Sequence, residues 1–95
     1  TVTGQRIMAS AAKTMKRVTL ELGGKSPTII LADADLGRAI PGAANAIFGN
    51  SGQVCTAGSR LLVEEAVYDE VVAGVAAIAK GLRLGPGQEQ NTQLG

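Results

Sequence analysis

The sequence predicts an α/β fold in which strands and helices alternate in open sheets. Two short apolar runs of strand length, at residues 28–32 and 60–64, are each followed by apolar residues at helical spacing, at 36–48 and 67–80. Helices of 12 to 14 residues between strands are typical of the crossover connections of an α/β sheet.

Length and composition allow one small domain with a modest core. The chain has 95 residues, of which 45% are apolar, as in ordinary globular proteins. Its aromatic residues are only Phe48 and Tyr68, so the core is aliphatic and weak independent stability is expected. The chain starts with Thr and ends without a closing element, and we therefore expect an internal piece of a longer protein.

Charge and cysteine content exclude several classes of function. A net charge of +1, from nine basic and eight acidic residues, argues against nucleic acid or a membrane as a partner. A single cysteine excludes an internal disulfide, and the lack of histidine argues against a zinc site, so no metal is predicted. No apolar run approaches the length of a membrane span. We expect a cytoplasmic protein.

The first predicted elements are a helix and two strands. Residues 5–16 carry apolar side chains at helical spacing, with basic residues near the end. Residues 18–22 alternate between apolar and polar, which predicts a half-buried strand that ends at the following pair of glycines. Residues 28–32 are continuously apolar, which predicts a strand buried on both faces.

The second half continues the alternation. Asp33 or Asp35 is expected to cap a helix with an apolar stripe through residues 36–48, and Pro41 predicts a kink or a late start of regular helix. A strand at 60–64 and a helix at 67–80 follow the loop that contains the cysteine. A short extended stretch, a turn and a polar tail complete the chain.

Cys55 lies in this loop, among small residues. A lone cysteine is most often a small buried hydrophobic residue. Here, however, the preceding helix ends near residue 52, so Cys55 lies on a connection, where functional groups concentrate. Small neighbours at residues 56–59 leave room for a substrate and expose backbone N–H groups that could stabilise an oxyanion. Cys55 is therefore a candidate thiolate nucleophile.

Glu21 is the candidate base. A glutamate on the polar face of a strand is usually only solvated. Glu21, however, is placed at a predicted strand end beside Gly23 and Gly24, where a ligand or another backbone could approach closely. Strand ends of α/β sheets often border the ligand crevice, and a carboxylate there could activate a water molecule.

Both stretches resemble signatures of the aldehyde dehydrogenase superfamily. Residues 20–27, LELGGKSP, are similar to its glutamate signature, and residues 48–59, FGNSGQVCTAGS, to its cysteine signature. Their order and separation also fit, and the resemblance covers essentially the whole chain. It implies that the chain is a fragment of an aldehyde dehydrogenase-like fold.

The resemblance also implies a mechanism. Cys55 attacks an aldehyde to give a thiohemiacetal, hydride passes to NAD or NADP, and Glu21 activates the water that hydrolyses the resulting thioester to a carboxylic acid. The backbone N–H of Cys55 and an asparagine outside this chain hold the oxyanion. Leu22 is expected to line the nicotinamide site, as a cofactor-binding residue.

Domain organisation follows from the same resemblance. Residues 1–22 are expected to end the Rossmann-like cofactor domain and residues 23–95 to begin the catalytic domain. The phosphate-binding part of the cofactor site and a downstream glutamate that positions the nicotinamide ribose are expected outside the chain. The complete enzyme is expected to be a homodimer or homotetramer that acts on a small-molecule aldehyde.

Two other functions stay open on the sequence alone. A cysteine hydrolase would use Cys55 without a nicotinamide, although such enzymes commonly need a histidine, which this chain lacks. Alternatively, the isolated stretch is a catalytically silent structural piece. The identity of the aldehyde and the choice between NAD and NADP depend on residues outside the chain.

Overall fold

The computed structural model describes residues 1–95. The helices are α1 (Val2–Ala12), α2 (Leu36–Phe48) and α3 (Tyr68–Gly81), and the strands are β1 (Pro27–Ile30) and β2 (Arg60–Val63). Two short 3-10 helices, Gly49–Gly52 and Glu65–Val67, follow α2 and precede α3. The predicted α/β alternation is therefore confirmed from residue 27 onward.

The two strands form a parallel sheet, and α2 is the crossover between them. Pro27 pairs with Arg60, and Ile30 pairs with Val63. At the carboxyl end, the backbone N–H of Glu64 donates to the Ile30 carbonyl at 2.9 Å. The carboxylate of Glu64 in turn accepts the N–H of Ala32 at 2.7 Å. This reciprocal pair of bonds fixes the end of the sheet after the last paired residues.

One face of the sheet carries the core. Ile30 (3% exposed), Ala43 and the fully buried Val71 form its centre, where β1, α2 and α3 meet. The other face is open, since Ile29 is 63% exposed and its register partner Leu62 is 52% exposed. The prediction that the strand at residues 28–32 is buried on both faces is thus wrong for this chain, because α2 and α3 both cover the same side of the sheet.

Pro41 lies inside α2, which runs without interruption from Leu36 to Phe48. Proline has no N–H to donate to the carbonyl four residues earlier, which here belongs to Gly37. Of the two outcomes predicted for Pro41, a kink or a late start of regular helix, the late start is not observed, because the helix already begins at Leu36. Asp35 is the N-cap residue, as predicted, but its side chain makes no capping hydrogen bond.

The first helix differs from its predicted position. It begins at Val2 rather than at residue 5 and ends at Ala12 rather than at residue 16. The end is set by Met15, which adopts the left-handed conformation at φ 53°. The N–H groups of Lys16 and Met15 then bond back to the carbonyls of Ala11 and Ala12, both at 3.2 Å. This is a Schellman arrangement, which reverses the chain and stops the helix.

Residues 18–22 do not form the predicted strand. The chain has no sheet partner from residue 16 to residue 26. The alternating pattern has a different cause, because the side chains of Leu20 and Leu22 pack beneath α1 at Gly4. A Cβ on Gly4 would lie 3.2 Å from a methyl carbon of each leucine. An alternating pattern marks one covered face but does not supply a neighbouring strand.

Candidate functional site

An open cleft of about 870 Å³ brings together the residues singled out by the sequence. Glu21, Leu22 and Cys55 all line it, although the thiol is 34 positions beyond the carboxylate. The side chains of all three are exposed. The structure thus places the candidate nucleophile, the candidate base and the candidate cofactor contact on one surface that a small molecule can reach.

A tight turn presents Cys55. The N–H of Ala57 donates to the carbonyl of Val54 at 3.0 Å, so Cys55 and Thr56 are the central residues of a four-residue turn. Ala57 is buried and holds the turn against the domain. The single hydrogen bond of the turn uses the N–H of Ala57 and does not involve the N–H of Cys55. The N–H of Cys55 thus makes no hydrogen bond within the chain, and the cysteine itself is exposed.

Unusual backbone geometry leads into this turn. Asn50, Ser51 and Gly52 are consecutive left-handed residues, with φ of 51°, 56° and 71°. Non-glycine residues in this region are strained by about 1–2 kcal/mol each. The side-chain amide of Asn50 donates to the carbonyl of Gln53 at 3.1 Å, and the N–H of Gln53 donates back to the Asn50 carbonyl at 3.0 Å. These bonds hold the reversal that directs the chain from α2 to Cys55.

Glu21 and Leu22 lie on the extended segment that follows α1. Packing of Leu22 against Gly4 fixes this segment beneath the helix. Leu22 nevertheless remains 40% exposed toward solvent, so part of its side chain is free to contact a ligand in the cleft. The neighbouring Gly23 and Gly24 add no side chains to the same wall.

The extended segment at residues 16–26 that carries Glu21 (the glutamate segment) and the turn at residues 54–57 that carries Cys55 (the cysteine turn) are in direct contact. A Cβ built on Gly24 would lie 2.9 Å from the carbonyl oxygen of Cys55, which is closer than real Cβ contacts. Beyond this contact, the guanidinium Nε of Arg60 donates to the carbonyl of Lys25 at 3.0 Å. The N–H of Arg60 donates to the Ser26 carbonyl at 3.3 Å. The start of β2 therefore anchors the end of the glutamate segment.

Two threonines at the start of α1, Thr1 and Thr3, also line the cleft and were not predicted from the sequence. No sequence signal marks them, because their role depends on α1 folding back over the glutamate segment. The structure contains no group of three or more side chains that could hold a metal ion. None of its helices has both the length and the apolar character of a membrane span.

The fold and the cleft together define a class of protein: an α/β segment that presents an exposed thiol and a carboxylate to a common substrate-sized space. Comparison with known proteins gives the family. The sequence matches the aldehyde dehydrogenase family over residues 1–95. The chain belongs to the aldehyde dehydrogenase family.

Individual relatives agree with this assignment. The chain is 50% identical over 95 residues to phenylacetaldehyde dehydrogenase of Pseudomonas fluorescens, covering 100% of this chain and 19% of that protein. It is 48% identical over 93 residues to betaine aldehyde dehydrogenase of Bacillus subtilis (strain 168), covering 98% of this chain and 19% of that protein. The chain thus spans about a fifth of the length of these relatives.

Solved structures show the same fold. An aldehyde dehydrogenase from Bacillus cereus, determined as an NAD+ complex, superposes with a TM-score of 0.95 at 51% identity. The match covers 99% of this chain and 19% of that structure. The arrangement of α1, the extended glutamate segment and the two-stranded sheet is therefore the local arrangement of an aldehyde dehydrogenase.

Proposed function

We propose that this chain supplies the nucleophile and the base of an NAD(P)-dependent aldehyde dehydrogenase, which oxidises an aldehyde to a carboxylic acid. The observation that carries the proposal is the common cleft of Cys55 and Glu21. A thiol can form a covalent intermediate, and a carboxylate can activate the water that releases it. The family to which the chain belongs is consistent with this division of roles.

In the first step, the Cys55 thiolate adds through Sγ to the carbonyl carbon of the aldehyde. A C–S bond forms, the carbonyl π electrons move to oxygen, and the product is a tetrahedral thiohemiacetal with an oxyanion. The exposed position of Cys55 within its turn gives the aldehyde access to Sγ. The backbone N–H of Cys55, which makes no hydrogen bond within the chain, is proposed to donate to this oxyanion.

The nicotinamide end of a cofactor is proposed to lie against the wall formed by Leu22 and Gly23. Leu22 offers an apolar contact, and the space in front of the Gly23 backbone is free, since an added Cβ there would meet nothing within 4 Å. The chemistry that NAD(P)+ supplies when bound is acceptance of a hydride from the substrate carbon, which leaves a thioester on Cys55. The phosphate-binding residues of such a cofactor are proposed to lie outside this chain.

In the last step, the carboxylate of Glu21 accepts a proton from water as the water oxygen adds to the thioester carbonyl. The tetrahedral adduct then expels the Cys55 thiolate, the C–S bond breaks, and the carboxylic acid leaves. Glu21 must return its proton to solvent before the next cycle. Its exposed position on the cleft wall permits this exchange.

The isolated chain, in contrast, is proposed to be catalytically silent. Its accessible surface of 7356 Å² is well above the roughly 5,100 Å² expected for a compact protein of this mass. Its radius of gyration is 18.3 Å, whereas a compact chain of this length has about 12 Å. The apolar face around Ile29 and Leu62 needs a cover that the chain itself does not provide.

Replacing the nucleophile tests the proposal. In the full-length dehydrogenase that contains this stretch, Cys55→Ala should abolish aldehyde-dependent reduction of NAD(P)+, monitored by nicotinamide absorbance. Iodoacetamide labelling of the peptide around residue 55 should be lost together with activity. Near-normal turnover by Cys55→Ala would refute the proposed role, and cofactor-independent hydrolysis by the wild-type enzyme would favour a cysteine hydrolase.

A further inference from the structure

The contact between Gly24 and the Cys55 carbonyl oxygen has no counterpart at the neighbouring glycine. An added Cβ would lie 2.9 Å from that oxygen at position 24, whereas at Gly23 it would meet nothing within 4 Å. Neither glycine has a positive φ, so the backbone conformation alone does not require glycine at either position. The requirement at position 24 is therefore one of space.

We infer that Gly24 is a positioning residue for the nucleophile, an inference that rests on the proposed function of Cys55. The missing side chain lets the backbone of the glutamate segment lie directly against the backbone of the cysteine turn. This contact sets the separation between the segment that carries Glu21 and the turn that carries Cys55.

Hydrogen bonds near the contact hold both segments in place, so the contact restricts how far apart they can move. The glutamate segment is fixed one residue later, where Lys25 accepts the bond from Arg60 at 3.0 Å. The cysteine turn is fixed three residues later, where the N–H of Gly58 donates to the carbonyl of Ala46 on α2 at 3.0 Å. Because both anchors are close in sequence to the contact, neither segment can slide away freely.

The displacement follows from the distances. The Cys55 carbonyl belongs to the backbone, so no rotamer change can relieve an added methyl group. An ordinary contact begins at 3.4 Å, so the 2.9 Å contact must open by about 0.5 Å. Since a misplacement of about 1 Å can reduce a rate about 100-fold, a shift half as large should reduce kcat about tenfold.

Alanine variants of the two adjacent glycines distinguish the effect of the close contact at position 24 from the effect of simply adding a methyl group to the cleft wall. In the full-length enzyme, Gly24→Ala should lower kcat about tenfold and slow alkylation of Cys55 by iodoacetamide, with little change in the KM for NAD(P)+. Gly23→Ala adds the same methyl group to the same wall and should leave the alkylation rate of Cys55 at the wild-type value. Gly81→Ala, at the remote end of α3, is the control for activity because its Cβ would also meet nothing within 4 Å.

Equal alkylation rates in Gly24→Ala and Gly23→Ala would overturn the inference. If Gly24→Ala does not fold, Arg60→Met decides the question, because it removes the anchor on Lys25 without adding bulk at the contact. Arg60→Met should lower kcat several-fold with KM retained, and an unchanged kcat would overturn the inference. The proposed function is tested separately: if Cys55→Ala is inactive and the glycine variants behave alike, only the positioning role fails.

Discussion

A methyl group added at Gly52 should destabilise the backbone reversal at residues 50–52, which leads from α2 to Cys55. The φ of Gly52 is 71°, and a Cβ there would lie 3.1 Å from the carbonyl oxygen of Ile47. The left-handed conformation costs a non-glycine residue about 1–2 kcal/mol, and the close backbone contact adds to this. Gly52→Ala should therefore destabilise the reversal by about 2 kcal/mol.

Gly49→Ala is the matched control for this prediction. Gly49 lies three residues earlier, has φ of −52°, and its added Cβ would meet only Asn45 Oδ1 at 3.9 Å. A glycine-to-alanine change at a compatible position stabilises by about 0.4–1 kcal/mol through the unfolded chain. The two substitutions should thus have opposite signs, although each adds one methyl group to the same segment.

Hydrogen exchange measures the difference locally. The amides of Gln53 and Gly58 are bonded to Asn50 and Ala46, so their protection reports opening of the segment around Cys55. In the full-length enzyme, Gly52→Ala should reduce protection of these amides more than tenfold, because about 1.4 kcal/mol corresponds to a factor of ten. Gly49→Ala should leave protection unchanged or increase it. Equal protection in both variants would refute the argument from backbone conformation.

Two further predictions concern the core and the isolated chain. In the full-length enzyme, Val71→Ala should lower the free energy of unfolding by about 2 kcal/mol, since Val71 is fully buried and loses two packed methyl groups. Val72→Ala, at a residue 41% exposed, should cost much less. Equal shifts in denaturant midpoint would contradict the assigned core. The isolated 95-residue chain should show no NAD(P)+ reduction and a broad, weakly cooperative melt, because its sheet face is uncovered; a monomeric, sharply melting and active chain would contradict this expectation.

Periodicity predicted the elements whose neighbours lie within the chain. The stripe through residues 36–48 and the apolar runs before and after it predicted β1, α2 and β2 to within two residues at each end, because these elements cover one another. The same method failed for residues 18–22, whose alternating side chains pack under Gly4 instead of beside a strand. A local pattern specifies which face is covered, and the covering element has to come from tertiary structure.

The candidate site likewise combines residues that local sequence indicated with contacts that only the tertiary structure creates. Cys55 and Glu21 were singled out from their local sequences, and the structure places both on one cleft. The contact between Gly24 and Cys55 spans 31 positions and no local pattern encodes it. Thr1 and Thr3 likewise reach the cleft only because α1 folds over the glutamate segment. The domain boundary near Gly23, the cytoplasmic location and the oligomeric state stay predictions.

The central claim is that Cys55 forms the thioester and Glu21 activates the water that releases it. Rapid-mixing measurement of nicotinamide absorbance with Glu21→Gln in the full-length enzyme tests both roles most directly, because glutamine keeps the size of the side chain but cannot accept the proton. We expect a burst of about one reduced nicotinamide per active site, followed by steady turnover reduced at least about 100-fold. An unchanged steady-state rate would contradict the role of Glu21, and loss of the burst together with turnover would show that Glu21 acts before the thioester forms.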